Sequence, residues 1–307
     1  MTSQASTRVG MGTGKLRRRL HLLPYLLALP IVMYEGIFIL IPILQEIASS
    51  FASDVVGGGP VRWVGLANYE RMFKDQYFWK AMGTTLTYML FVVVTSVGLG
   101  LIAALLINGR FRGRAVVRGI ITLPWAFPEV PTVLIFLWML NPSFGIMNVL
   151  VRLLGVPENP RWLIDAGWAM PAVIGIATWK AFPFYSLVIL ASLQTIPHEY
   201  YEAAKVDGAS TVQSFRFVTL PSIAPTLLLM SLLAAIFAFR QFALIWLSSG
   251  GGPARATETL VIQVYNTAFR FFDFSYGATL GVAGFITVFV IGIIFVVFQR
   301  RSAAERG

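Results

Sequence analysis

The stretch Gln194-Thr-Ile-Pro-His-Glu-Tyr-Tyr-Glu-Ala-Ala-Lys-Val-Asp-Gly-Ala-Ser-Thr-Val-Gln-Ser-Phe-Arg-Phe-Val-Thr-Leu-Pro221 is a polar island between two long apolar blocks. It reads as two short helices joined by a tight turn. Pro197 suits a first helical turn, and Glu199 there complements the helix dipole. Ala203 and Ala204 favour helix while adding little bulk. Asp207-Gly208 supplies a turn or left-handed conformation that other residues resist. Ser210-Thr-Val-Gln213 has the spacing of a capping box. It opens a second helix with Val212, Phe215 and Phe217, expected to stop before Pro221. A helix–turn–helix of this kind, small on one side and aromatic on another, makes a knob that fits a groove on a partner.

On both sides of this island the chain is apolar. Of its 307 residues 57% are hydrophobic and 12% charged, with a mean hydropathy of +0.73. Soluble domains carry about 25% charge. Blocks of about 20 apolar residues match the hydrocarbon thickness of a bilayer, and six are expected to span it: 22–46, 84–107, 117–140, 168–193, 220–247 and 276–299. The first follows Lys15, Arg17, Arg18 and Arg19 and is longer than a signal-peptide core, so a retained span is expected. Residues 1–21 then form a basic N-terminus, 22–299 one transmembrane domain containing the loop 194–221, and 300–307 a tail. The fold class is all-α and membrane-embedded.

Charge sets the orientation. An even number of spans puts both termini and the loops after spans two and four on one side. That side holds Arg8, Lys15, Arg17, Arg18, Arg19, Arg110, Arg112, Arg114, Arg118, Lys205, Arg216, Arg300, Arg301 and Arg306. These fourteen cations face only Glu199, Glu202, Asp207 and Glu305. The opposite side has eight cations and seven acids, so the first side is expected to be cytoplasmic. The net charge of +10 is thus spread over loops rather than gathered on a face for nucleic acid, which is not an expected partner. Trp63, Trp79, Trp162 and Trp168 fall in or beside the outer loops, as an interfacial belt or as loop packing.

Several chemistries are disfavoured. There is no cysteine and there are only two histidines, so thiol catalysis and thiolate or histidine metal sites are not expected. The runs Gly57-Gly58-Gly59-Pro60 and Gly250–Gly252 lack the Gly-Lys-Ser/Thr ending of a phosphate-binding loop. Any nucleotide is therefore expected on another subunit.

Polar residues inside the spans point to a solute path, because they are costly at membrane depth unless they face an interior. Pro124, Pro128 and Pro131 interrupt the third span, where Trp125 and Glu129 are four apart and expected on one face. Lys180 and Phe184 share a face of the fourth. Phe237 and Gln241, with Arg240 beside them, do so in the fifth. Two cations and one carboxylate suit an anionic or otherwise polar sugar derivative, with aromatic faces for the C–H side of a ring; the alternatives are that Glu129 and Lys180 only pair with each other, or that Arg240 snorkels to the outer surface.

The loop resembles the coupling loop of binding-protein-dependent ABC importer permeases. Their pattern is Glu-Ala-Ala, three residues, Gly, nine residues, Ile, one residue, Leu-Pro. Here Glu202, Ala203, Ala204, Gly208, Val218 (for Ile), Leu220 and Pro221 stand at that spacing. Gly65–Tyr69, Asp75–Trp79, Leu123–Pro128, Asn141–Gly145, Gly250–Pro253 and Ala256–Leu260 resemble the maltose-, glycerophosphate- and trehalose-type branch. The resemblance covers about residues 20–300. It implies a type I importer permease fold in a bacterial cytoplasmic (inner) membrane. Its loop, with Glu202, Ala203, Ala204, Asp207, Gly208, Phe215, Leu220 and Pro221, would dock on an ATPase subunit.

The implied partners are two ATPase subunits carrying ATP and Mg, a second homologous permease, an extracytoplasmic solute-binding protein and a sugar-like solute. This chain itself would hold no cofactor and catalyse nothing. The branch's sugar-lining positions match Trp125, Glu129, Ala177, Lys180, Ala181, Phe184, Phe237, Ala238 and Gln241. Ala177 and Ala238 replace amides of maltose-type members, which speaks against maltose itself. An ion-coupled secondary transporter is the alternative, although no clear inverted repeat is visible.

Overall fold

A computed structural model describes residues 13–53, 62–109, 111–155 and 160–304. The Gly57–Pro60 run and Arg8, Asp54, Arg110, Glu158, Glu305 and Arg306 lie outside the described residues. The chain divides into two units, residues 1–49 and 50–307. The first is helical: α1 (Thr13–Glu35) continues through a π-turn (Gly36–Leu40) into α2 (Ile41–Ser50). Leu23–Ser50 is long and apolar enough to cross a bilayer.

The second unit opens with two two-residue strands, β1 (Ala52–Ser53) and β2 (Arg62–Trp63), antiparallel with Ala52 opposite Trp63. A surface helix α3 (Ala67–Lys74) leads into the long α4 (Gln76–Asn108). Asp75 accepts the Tyr77 N–H at 2.8 Å and so caps α4, which begins eight residues before the apolar block expected at 84. Next come α5 (Arg114–Ala126), α6 (Glu129–Met139), α7 (Ile146–Leu153) and α8 (Ala166–Leu193). The loop helices are α9 (His198–Val206) and α10 (Thr211–Ser214). Then follow α11 (Leu220–Phe239), α12 (Ala243–Ser249), α13 (Leu260–Tyr265) and α14 (Phe274–Ala304). Among the described residues five helices can cross a membrane, or six if α5 and α6 count as one bent span.

The core lies where α4, α8 and α11 meet. On α4 the buried residues include Thr85, Tyr88, Val92, Ser96, Gly100 and Ala104, a stripe with steps of three and four. Many are small or carry hydroxyls, which lets helices approach in lipid, where apolarity alone gives no reason to associate. At Gly100 an added Cβ would stand 2.9 Å from the Tyr185 Cβ and 3.1 Å from the Ser186 nitrogen. Thr95 and Thr178 join their hydroxyls across the same pair of helices at 2.6 Å.

Three expectations are corrected. The third span is not one helix: α5 and α6 meet at 96°. Pro128 disfavours helical backbone at Phe127, whose ψ is 139°. The fifth span does not run to 247, since α11 ends at Phe239 and α12 starts separately after Arg240–Phe242. The second loop helix does not stop before Pro221. Thr211–Phe239 is continuous because Phe215–Thr219 form a π-turn, in which the Leu220 N–H reaches back to the Phe215 carbonyl. That wider turn relieves the clash a proline makes with the preceding helical turn.

The tryptophans of these loops pack against them. Trp162 donates from Nε1 to the Asn148 amide oxygen at 2.7 Å, and Trp79 to the Phe73 carbonyl at 3.0 Å. Trp63 stacks on Phe51.

Candidate solute cavity and coupling hairpin

A cavity of about 390 Å³ lies among α4, α5, α8 and α11. Its wall includes Trp125 and Glu129 from either side of the α5–α6 bend, and Ala177, Lys180, Ala181 and Phe184 from α8. Phe237 and Ala238 come from the end of α11, with Arg240 and Gln241 from the break that follows. All seven residues read as a solute path therefore face one space. The reason differs from the one expected. Trp125 and Glu129 do not share a helical face, and Gln241 is beyond the end of α11; both breaks turn these side chains inward.

The bend places two helix ends at the cavity. Lys180 Nζ donates to the Phe127 carbonyl at 2.6 Å, at the C-terminal end of α5, where a cation complements the dipole. Glu129 stands in the first turn of α6, where an anion does the same. Its carboxylate accepts from the Gln241 amide. Trp125 and Phe184 stack with centroids 5.8 Å apart, and the Arg240 guanidinium lies 5.0 Å above the Phe237 ring. Tyr88, Val92, Tyr185, Ala234 and Leu244 also line the space. Sequence reasoning did not single them out. Tyr88 was findable as a phenol inside a block otherwise suited to lipid.

The other group of residues is separate from this one and sits on the hairpin of α9 and α10. Gly208 has φ +77°. Its N–H bonds to the Lys205 carbonyl at 3.0 Å, and the Ala209 N–H to that of Ala204 at 2.9 Å. This double closure is a Schellman motif. One residue on, Ser210 and Gln213 form both halves of the capping box. Tyr201 bonds Thr219 at 3.0 Å and ties α9 to the π-turn. Glu202 pairs with His198 at 3.1 Å on the exposed side. Val206, Val212 and Phe217 project as bare apolar groups.

Apolar spans, one of them bent, and the hairpin define a membrane permease. The chain belongs to the family of binding-protein-dependent transport system inner membrane components, whose family model matches residues 96–305. It is therefore an integral protein of the cytoplasmic membrane. It is 34% identical, over 94% of its length and 97% of the relative's, to the trehalose/maltose transport system permease protein MalF of Thermococcus litoralis. It is 33% identical, over 92% of each chain, to the sulfoquinovosyl glycerol transport system permease protein SmoG of Agrobacterium fabrum. The fold matches a chain of a bacterial ABC transporter for import of the acidic polysaccharide alginate. The TM-score is 0.80 at 24% identity, covering 94% of this chain and 99% of that one.

Proposed function

We propose that this chain is the membrane-spanning subunit of an ATP-driven importer of sugars or sugar derivatives, moved by separate ATPase subunits through the hairpin Glu202–Pro221. The observation that carries this is continuity. From Thr211 to Phe239 one helical rod joins the hairpin to the cavity wall at Phe237 and Ala238. A partner that tilts the hairpin tilts the wall, so alternating access follows from rigid-body motion of α11 against α8. The relatives' names supply the sugar class.

The remaining components follow from what this chain offers. Trp125 and Phe237 are 52% and 42% exposed although they line the cavity, so a second permease completes the path. Two ATPase subunits hold ATP and Mg, and an extracytoplasmic binding protein delivers the solute. The excess of cations supports a cytoplasmic side for the termini and the hairpin.

Co-purification from native membrane followed by reconstitution tests the reading. An ATPase subunit is expected in the complex, with hydrolysis stimulated by a sugar. Uptake by this chain without nucleotide would favour an ion-coupled carrier instead.

A further inference from the structure

The geometry points to a solute with one anionic group, a saccharide carrying a carboxylate, sulfonate or phosphate, held between Lys180 and Arg240. The inference rests on the importer reading and narrows its solute; the relatives' names, trehalose/maltose and sulfoquinovosyl glycerol, leave that charge open.

Three formally charged groups line the cavity, the Glu129 carboxylate and the cations of Lys180 and Arg240. Glu129 could have cancelled one cation, but among the described residues it makes no ion pair within 4.0 Å with either. It takes the Gln241 amide instead. Lys180 spends one of its three donors on the Phe127 carbonyl, a neutral acceptor, so Glu129 acts on it only through space and the ammonium keeps donors to offer. Arg240 could have reached away from the path, yet its guanidinium lies over Phe237, itself part of the wall. Among the described residues no carboxylate pairs with it. The cavity thus carries a surplus positive charge and several unused N–H donors beside the stacked rings of Trp125 and Phe184.

Lys180 stands inside the spanning helix α8, where an ammonium is costly, and an anionic substituent would offset the surplus charge each time a solute occupied the site. The aromatic rings would take the C–H face of the sugar, and Glu129 with Gln241 its hydroxyls.

Glucose and glucuronate separate the two cases, because they share a ring and differ by the carboxylate at C6. Saturation-transfer NMR on the co-purified complex in nanodiscs, without nucleotide and without binding protein, reads binding to the permease directly. Glucuronate is expected to bind at least tenfold more tightly than glucose. Lys180→Met or Arg240→Met should weaken glucuronate roughly 10- to 100-fold, the factor carried by loss of a charge-assisted hydrogen bond. Lys180→Arg and Arg240→Lys, which keep the charges, should retain the preference.

Equal binding of the two sugars, or a glucuronate preference that survives the double methionine variant, overturns the proposal. Preferential glucose binding abolished by Trp125→Ala would also overturn it and leave the importer reading standing. Binding of neither sugar would count against both.

Discussion

Thr85 is fully buried in α4, and its hydroxyl does two things at once. It donates to the Ala81 carbonyl at 2.7 Å and accepts the Leu260 N–H at 2.8 Å, the first donor of the short helix α13. Thr85→Val keeps the shape and strands that N–H, a loss of about 1–3 kcal/mol for a buried unsatisfied donor. The expected outcome is a lower unfolding temperature in detergent, restored by Thr85→Ser. A hydroxyl in an apolar span is visible in the sequence as an oddity, but its partner 175 positions away is not. The same holds at the cavity. Glu129, Lys180 and Gln241 stand out because charge and amides are rare in spans. That Lys180 bonds a carbonyl and Glu129 an amide follows from a bend that no local pattern reveals.

At the scale of elements, the hairpin was the most legible part because its signals are local. A glycine after Asp207 and a serine three residues before Gln213 specify backbone closure within one turn, and both closures form. Gly208→Val would force a branched side chain into positive φ, at about 1–2 kcal/mol, and loosen the Schellman closure. Solute-stimulated ATP hydrolysis should fall severalfold or more while the complex still assembles. An unchanged stimulation would show that the turn transmits nothing. The helix ends at Phe239 and Ala126 were far less legible, since only Arg240-Gln241 and Pro128-Glu129 interrupt apolar sequence that resumes beyond them, and hydropathy does not register a change of direction. Nor does apolarity distinguish the packed stripe of α4 from its lipid side. Steric fit does: Gly100 is closed in by Tyr185 and Ser186, whereas an added Cβ at Gly98 meets nothing within 4 Å. Gly100→Ala is expected to cost about 1–3 kcal/mol by overpacking, while Gly98→Ala should be neutral or slightly stabilising as a better helix former. Thermal unfolding of the two variants in parallel separates close packing from general loss of a glycine.

At the scale of the whole molecule, the spans, the family and the hairpin leave one global quantity to charge alone, the direction in which the chain lies in the membrane. Fourteen cations against four acids on one side is a strong bias, and the orientation proposed from it would set the hairpin on the side where ATP is available. The absence of cysteine makes this directly measurable, because any introduced thiol is the chain's only one. Val206 is 87% exposed at the tip of α9, and Trp63 is 70% exposed on β2. With the proposed orientation, a membrane-impermeant maleimide should label Trp63→Cys in intact spheroplasts and leave Val206→Cys untouched. In inside-out vesicles the pattern should reverse. Val206→Cys should further be shielded while the ATPase subunits are bound and become reactive once they are stripped away. Labelling of Val206→Cys in sealed, right-side-out membranes would put the hairpin outside and remove the mechanical link between nucleotide and cavity. Reactivity indifferent to the ATPase subunits would leave the orientation intact and place the docking surface elsewhere on the molecule.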